Sequence, residues 1–245
     1  MRVHKWLAQL GLTSRRQAER WIKAGRVTVN GCKVSIGDSL DPAKDSLVLD
    51  GKKLSSRKPS HVYWMLNKPD KVLTTRKKED DRTTIYDLPA LQNLSFLVNP
   101  VGRLDFHTEG LLLLTNDGDL AYRLMHPRFQ MERVYLVTVA RRLSSDQEQR
   151  IAEGVTLEDG VCKASLRFLK FTRQGSNGRA VYRVALREGR NRIVRRLFEH
   201  FGIPVLRLAR QSFGTIRLSE DLSAGDLRPL SSAEINTLKK AVNLV

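Results

Sequence analysis

The chain alternates between short amphipathic helical patterns and short apolar strand patterns, and its most apolar stretch is a run of four leucines. Residues 111–114 directly follow a polar loop, and an apolar run of this length predicts a buried strand. Asn116-Asp117-Gly118 then predicts a turn, and residues 119–125 predict a short helix that Pro127 ends. Asp105, in the polar loop, is therefore expected at the mouth of a rigid, buried element.

The first residues predict two helices followed by a hairpin. Apolar residues at helical spacing over 3–10 indicate the first helix. Ser14 with Gln17 three residues later has the capping-box pattern of a second helix start. Asn30-Gly31 predicts the two-residue turn of a hairpin, and residues 47–49 predict a further strand.

The longer remainder mixes strand and helix patterns without a regular βαβ period. Strands are predicted at 62–66, 96–98, 133–139, 162–168, 180–186, 205–209 and 216–218, and helices at 144–153, 190–201 and 232–242. Residues 75–84 are almost wholly polar and predict an exposed loop. We therefore predict an α+β fold with a small module at 1–58, a linker at 59–61, and a domain with a mixed, mostly antiparallel sheet at 62–245.

Charge is the strongest functional signal in the composition. The 245 residues carry a formal net charge of +17, which favours a polyanionic partner, usually nucleic acid. An anionic membrane is the rival partner, but no segment pairs a large apolar face with a Lys-rich face. No apolar run approaches the roughly 18 residues that span a bilayer. The sequence predicts a soluble, cytoplasmic protein.

Basic residues are concentrated in the first module. Residues 1–58 contain 13 Lys and Arg against 5 acidic residues, a net charge of +8. A solvated basic helix face is the ordinary explanation, but a basic helix beside a hairpin also offers a surface for phosphates. The module residues predicted to contact RNA are Lys5, Arg15, Arg16, Arg20, Lys23 and Arg26.

Three groups of residues could carry chemistry. Asp105 lies among polar neighbours, although an acid there is about as often only a turn cap. Arg133 and Tyr135 are two apart on a predicted strand and so project from one face. Residues 187–196 include five arginines, for which a general phosphate-binding face is the simpler interpretation.

Common cofactor and metal motifs are missing from the sequence. It has no P-loop, no dinucleotide-binding glycine motif and no histidine-based nucleophile pair. Cys32 and Cys162 are far apart and predict neither a disulfide nor a zinc site. Any reaction is therefore expected to use one acid, a tyrosine and arginines, without metal or cofactor.

Several motifs resemble one enzyme family. Residues 102–118, which run from Gly102-Arg103-Leu104-Asp105 to Asn116-Asp117-Gly118, closely resemble the signature of RsuA/RluB-type ribosomal RNA pseudouridine synthases. Residues 66–69, Arg133-x-Tyr135 and residues 188–198 resemble further motifs of that family in the same order. Residues 5–8, 14–19, 22–27 and 29–31 resemble the αL RNA-binding module named after a small ribosomal-subunit protein.

The resemblance implies a function and a site. Asp105 would be the catalytic carboxylate, Tyr135 would stack on the target base, and Arg195 would pair with Asp105. Further RNA contacts are predicted at Lys68, Arg103, Arg133, Arg190, Arg192 and Arg196. Lys71 and Ile193 depart from the family pattern, which leaves the path of the RNA open.

The implied substrate is a uridine of ribosomal RNA, in a precursor or an assembling subunit. Closer likeness to the RluB branch favours large-subunit rRNA, with small-subunit rRNA or a tRNA as alternatives. A non-catalytic ribosome-assembly factor is the alternative class, and a methyltransferase is the weakest because it lacks a cofactor motif. Nothing in the sequence requires more than a monomer.

Overall fold

The chain forms two compact units in the computed structural model, which describes residues 1–55, 59–78, 80–94, 97–174 and 177–244. The first unit contains Met1–Val62, Leu94–Asn99 and Thr115–Gly118, and the second contains Tyr63–Asn93, Pro100–Leu114 and Asp119–Val245. Residues 56–58 of the predicted module, Glu79 of the predicted loop and Phe96 of the predicted strand lie outside the described residues. The limits drawn at 58 and 61 stay a prediction.

Two helices and a four-stranded sheet form the first unit. The helices are α1 (Val3–Gln9) and α2 (Arg15–Lys23), and the strands are β1 (Val27–Val29), β2 (Cys32–Lys33), β3 (Leu47–Leu49) and β4 (Lys52–Lys53). The strand order is β2-β1-β3-β4. Apolar side chains of both helices and of β1 and β3 form one core, in which Leu7 and Ala18 are fully buried.

Local sequence signals set the ends of these elements. The Gln17 N–H donates to Ser14 Oγ at 3.2 Å, so Ser14 caps α2 as predicted. Asn30 and Gly31 have φ values of 51° and 82°, which a two-residue turn of this type requires. Val29 pairs with Cys32 across the turn, so the predicted hairpin is confirmed.

A large sheet dominates the second unit. Its strands are β5 (Tyr63–Lys68), β6 (Asn99–Pro100), β7 (Thr108–Thr115), β8 (Arg133–Val139), β11 (Ser165–Gln174), β12 (Asn177–Leu186), β13 (Val205–Phe213), β14 (Ile216–Arg217) and β15 (Leu227–Pro229), and β9 (Val155–Leu157) pairs separately with β10 (Gly160–Cys162). The helices are α3 (Pro89–Gln92), α4 (Gly118–Met125), α5 (Ser145–Glu153), α6 (Ile193–Glu199) and α7 (Ser232–Ala241).

The strand order of the large sheet is β11-β12-β8-β13-β7-β5-β15. Strand β13 pairs antiparallel with β8 and parallel with β7. The other registered strand pairs in the described ranges are antiparallel. The predicted α+β class with a mixed, mostly antiparallel sheet is therefore confirmed.

Strand β7 lies in the interior of the sheet. All four leucines at 111–114 are buried, and because neighbouring side chains in a strand point to opposite faces, both faces of β7 are covered. Leu111 and Leu113 pack in one core cluster with Leu120 and Phe213. Full burial of each leucine contributes about 1.5–3 kcal/mol, so the strand beside the Asp105 loop is firmly held.

Gly110 allows β7 and β13 to approach closely. It pairs with Arg210, and a Cβ at this position would collide with the main-chain N and O of Arg210. Its φ of 97° is also in the region that favours glycine. The glycine of the leucine-rich signature is therefore required by the sheet itself.

Several predicted elements were wrong in their limits. The predicted strand 162–168 covers parts of two strands, because β10 ends at Cys162 and β11 begins at Ser165. The predicted strand 96–98 is replaced by β6 at Asn99–Pro100, just after the buried Val98. The predicted helix 190–201 begins only at Ile193, because Arg192 has a left-handed φ of 49° and cannot continue a helix backwards.

Candidate active site

Asp105 lies in a loop that is anchored on both of its sides. The Thr74 hydroxyl donates to the carbonyl of buried Leu104 at 2.8 Å. On the other side, the Thr108 N–H at the start of β7 donates to the Asp105 carbonyl at 3.0 Å. The Asp105 side chain remains partly exposed. A carboxylate is thus held at the mouth of β7 with access to solvent, as the leucine run predicted.

The buried side chain of Lys68 donates hydrogen bonds to main-chain carbonyls of the same loop. Its side chain is fully buried at the end of β5, and Nζ donates to the carbonyls of Pro69 and Thr108 at 2.9 Å each and to that of Phe106 at 3.5 Å. Burial lowers the pKa of Lys68 to about 8, although Asp70, Glu109 and Asp105 attract its charge. The structure thus gives this ammonium main-chain carbonyls as partners, and the RNA contact predicted for Lys68 stays a prediction.

Arg195, on α6, also contacts the Asp105 loop. Its guanidinium donates to the His107 carbonyl at 2.6 Å and to the Val205 carbonyl at 3.0 Å, while Nε is buried without a partner. Burial lowers the pKa of Arg195, and the charge of Asp105 partly offsets that effect. Within the described ranges the two form no direct ion pair, so Arg195 is an electrostatic neighbour of Asp105 that clamps the loop main chain.

Tyr135 is on β8, two strands away from β7, with only 8% of its surface exposed. It pairs with Arg210 of the intervening strand β13, and Arg210 pairs with Gly110 of β7. This register connects Tyr135 through one residue to the strand that carries the Asp105 loop.

Arg210 is a fully enclosed cation beside Tyr135. Its Nε donates to the Leu111 carbonyl at 2.8 Å, and its guanidinium lies 5.2 Å from the centre of the Phe213 ring. Burial lowers the pKa of Arg210, while electrostatic attraction by the neighbouring Tyr135 side chain and a hydrogen bond with it act in the opposite direction. One of its terminal nitrogens is buried without a partner.

Arg133 completes this second cluster. It donates to the Met131 carbonyl at 2.7 Å and lies over the Phe213 ring at 5.0 Å. Burial lowers its pKa, with Tyr135 attracting and Arg210 repelling its charge. The predicted common face of Arg133 and Tyr135 therefore brings both close to Arg210, a residue that sequence reasoning missed. The sequence feature that could have indicated Arg210 is its position directly after the predicted strand 205–209, where a charge would be carried into the sheet if the strand continued.

The late basic motif is largely engaged within the protein. Arg190 bonds to Glu188 and Asp159, and Arg196 donates to Asp159 at 2.7 Å. Arg192 reaches Glu199 at 3.3 Å. These carboxylates raise the pKa of Arg190 and of Arg196 through hydrogen bonds. The RNA contacts predicted for these arginines stay a prediction, and so does that of exposed Arg103.

Most of the predicted RNA-binding residues of the first unit are exposed to solvent. Arg15, Arg16, Arg20 and Lys23 are exposed along α2. Arg26 is also exposed, but it makes two hydrogen bonds to Asp50, which raise its pKa. Lys5 is partly buried on α1. The basic surface of this unit is therefore centred on α2.

Neither a metal-ligand group nor a membrane-spanning helix is found within the described ranges. Their His, Cys, Asp and Glu side chains form no group of three that could hold a metal ion. Among the same residues, every helix is too short or too polar to cross a bilayer.

Comparisons with known proteins show which family this chain resembles. The family model described as RNA pseudouridylate synthase matches residues 62–200, and the S4 domain model matches residues 1–43. A solved structure described as the crystal structure of pseudouridylate synthase has a TM-score of 0.67 and 30% identity, and the match covers 97% of this chain and 99% of that one.

Relatives that match nearly the whole of this chain give the same result. A protein of Aquifex aeolicus (strain VF5) named uncharacterized RNA pseudouridine synthase is 39% identical, and the alignment covers 100% of this chain and 96% of the relative. The Pseudomonas aeruginosa protein named ribosomal large subunit pseudouridine synthase B is also 39% identical, over 99% of this chain and 63% of the relative. The Haemophilus influenzae protein of the same name is 40% identical, over 99% and 68%. With its S4 domain at residues 1–43, the chain belongs to the RNA pseudouridylate synthase family.

Proposed function

We propose that this protein isomerises a specific uridine of large-subunit ribosomal RNA to pseudouridine, with Asp105 as the catalytic carboxylate. The observation that carries the proposal is the anchored, partly exposed carboxylate at the mouth of β7, with the cations Arg195 and Lys68 around its loop. The names of the Pseudomonas and Haemophilus relatives support the large-subunit substrate.

The reaction requires the base to leave the RNA stack, because its glycosidic bond is not accessible inside a helix. The bond between N1 and C1′ then breaks, the uracil turns, and a bond forms between C5 and C1′ while C5 loses its proton. Uridine and pseudouridine are isomers, so the atoms balance without a further reactant. Tyr135 holds the detached base by stacking, which is worth about 1–3 kcal/mol per base.

Asp105 acts in its ionised form on either of two routes. It attacks C1′ of the ribose, or it removes the proton at C2′ so that the glycosidic bond breaks by elimination. The positive charges of Arg195 and Lys68 attract the carboxylate in both cases. Deuterium at C2′ slows the second route and leaves the first nearly unchanged, so an isotope effect distinguishes them.

The S4 domain brings RNA to the site through phosphate contacts. The exposed arginines of α2 are suited to this because guanidinium groups bind phosphate without reading its sequence. We propose a precursor or an assembling subunit as the natural form of the substrate, a monomer as the active species, and the cytoplasm as its location. A non-catalytic assembly factor is the alternative, and it would use the same α2 surface.

A complementation experiment distinguishes the two functions. A strain lacking the gene receives the wild-type chain, Asp105→Asn, or Asp221→Asn, which removes an exposed carboxylate elsewhere. Pseudouridines in rRNA are then mapped by chemical labelling and primer extension. We expect one position to be restored by the wild type and Asp221→Asn but not by Asp105→Asn. Restoration by Asp105→Asn would refute the catalytic role, whereas no change in the map of the deletion strain would favour an assembly factor.

A further inference from the structure

Strands β11 and β12 carry an unusual cluster of cations on one face of the large sheet. Arg167 pairs directly with Arg183, and a register shift after Phe168 places Lys170 opposite Val181. Because residues two apart in a strand share a face, Arg179, Val181 and Arg183 of β12 point the same way. Their partners on β11 therefore share that face. We refer to Arg167, Lys170, Arg179 and Arg183 as the hairpin cations.

The hairpin cations are arranged at a cost to folding. Like charges directly opposite each other in a sheet are destabilising, and Arg167 and Arg183 are both exposed and opposite. In the described residues none of the four has a carboxylate partner. Other arginines of the same unit do, such as Arg190, Arg207 and Arg228. An arrangement that weakens the sheet and leaves its charges uncompensated is typical of a surface that binds an anion.

The same face contains an open groove. It has a volume of about 630 Å³ and is lined by apolar Leu136 and Val181, by the cations Lys170, Arg179 and Arg207, and by the carboxylate of Glu109, which pairs with Arg207. Leu136 and Thr138 of β8 pair with Arg183 and Val181, so the groove is continuous with the hairpin cations. Tyr135 has the opposite orientation on β8 and belongs to the other face.

We propose that this face is a second RNA-docking surface, which holds the backbone of a strand that flanks the target uridine. This inference rests on the proposed function for the identity of that RNA. Along the hairpin, the Arg167–Arg183 pair, then Lys170 opposite Val181, then Arg179 occupy successive positions on this face. Such positions are about 6.6 Å apart, a spacing comparable to that of successive phosphates in an extended strand. With a protein charge of +17, a polyanion is the occupant that the charges fit, rather than an apolar protein segment.

The groove is also linked to the Asp105 loop. Arg207 makes three hydrogen bonds to the carboxylate of Glu109, and Glu109 attracts the charge of Lys68. Glu109 follows Thr108, whose carbonyl accepts from Lys68. An RNA strand that follows the groove would therefore exit next to the loop that holds the catalytic carboxylate.

Two charge-neutralising double variants test the surface, Arg167→Gln/Arg183→Gln and Lys170→Gln/Arg179→Gln. The matched control, Arg217→Gln/Lys240→Gln, removes two exposed cations elsewhere in the same unit. The probe is an in vitro transcript of large-subunit rRNA, and its Kd is measured from low to high salt. Each phosphate contact of a single strand adds about 0.7 to the salt slope, so each double variant should lower the slope by about 1.4. If a double variant and the wild type bind equally at 1 M salt, where the electrostatic part is screened, the variant should bind about 25-fold more weakly than the wild type at 0.1 M salt.

Stability provides a second readout. Because Arg167 and Arg183 repel each other, their double variant should unfold at the same or a higher temperature than the wild type while it binds RNA more weakly. Wild-type Kd and slope in both double variants, or the same loss in the control, would overturn the inference and leave the proposed function intact. If both double variants bind RNA more weakly but the wild-type protein modifies no uridine, the proposed function is contradicted and the docking surface is still supported.

Discussion

The buried Lys68 should make the stability of the folded protein depend on pH. Its pKa in the folded protein is about 8, against an ordinary value of 10.5, because the ammonium is fully buried. A lysine whose pKa is lowered by folding binds fewer protons in the folded state than in the unfolded state between these two values. Stability therefore rises with pH in this window.

The size of the effect follows from the shift. A difference of one pKa unit corresponds to about 1.4 kcal/mol, so the charged Lys68 costs about 3 kcal/mol at neutral pH. Between pH 7 and pH 10, this group should add about 2–3 kcal/mol to the free energy of unfolding. The hydrogen bonds of Lys68 to the buried carbonyl of Thr108 and to the carbonyl of Pro69 keep the residue in place despite that cost.

The assay compares urea unfolding of the wild type and Lys68→Met at pH 7, 8.5 and 10. Other groups titrate in both proteins, so only the difference between the two free energies is used. That difference should shift in favour of the wild type by about 2–3 kcal/mol as the pH rises. The control Lys240→Met, which removes an exposed lysine, should show no such shift. A difference that stays constant from pH 7 to 10 would refute the claim that Lys68 titrates early because it is buried under the loop.

Three further predictions concern the neighbouring strands and the RNA surface. Arg210→Met should lower kcat much more than it raises the Kd for RNA, since Tyr135 loses its partner, and Arg210→Lys should recover part of kcat in a steady-state assay. Gly110→Ala should destabilise the protein by about 3 kcal/mol or more, because both overpacking and backbone strain apply; an unchanged melting temperature would contradict the close approach of β7 and β13. Arg15→Gln/Arg16→Gln should lower the salt slope of RNA binding by about 1.4 with kcat unchanged at saturating RNA, and an unchanged slope would exclude α2 as an RNA surface.

Local signals in the sequence were enough for most elements of the fold. Ser14 with Gln17 predicted the start of α2, and Asn30-Gly31 predicted the first hairpin, because capping and turn geometry depend on few neighbouring residues. The leucine run predicted a buried strand because it has no polar face to expose. These features need no knowledge of distant parts of the chain.

Features that depend on distant residues were not predictable in the same way. The start of α6 depends on the left-handed Arg192 and on bonds from Arg190 to Asp159, which is 31 residues away in sequence. The predicted strand 96–98 was displaced to β6, where the pairing with β7 takes place. Pairing partners are set by tertiary packing, which a local pattern does not contain.

The candidate site shows the same division. Motifs in the sequence predicted roles for Asp105, Tyr135 and Arg195 and an RNA contact for Lys68, but nothing in them indicated Arg210. Both Lys68 and Arg210 are buried cations, and a one-dimensional pattern of basic residues cannot distinguish a buried charge from an exposed one. The contact of Arg195 with the His107 carbonyl, rather than with the Asp105 carboxylate, likewise depends on where α6 packs.

Release of hydrogen from C5 of uridine tests the central claim most directly, because pseudouridine formation must remove that atom as C5 bonds to C1′. The purified protein is incubated with a large-subunit rRNA transcript that carries tritium at C5 of its uridines, and tritium released to water is counted. We expect the wild type and Asp221→Asn to release tritium up to one atom per RNA, and Asp105→Asn to release none although it binds the transcript with the same Kd. Release by Asp105→Asn at the wild-type rate would contradict the assignment of Asp105 as the catalytic carboxylate.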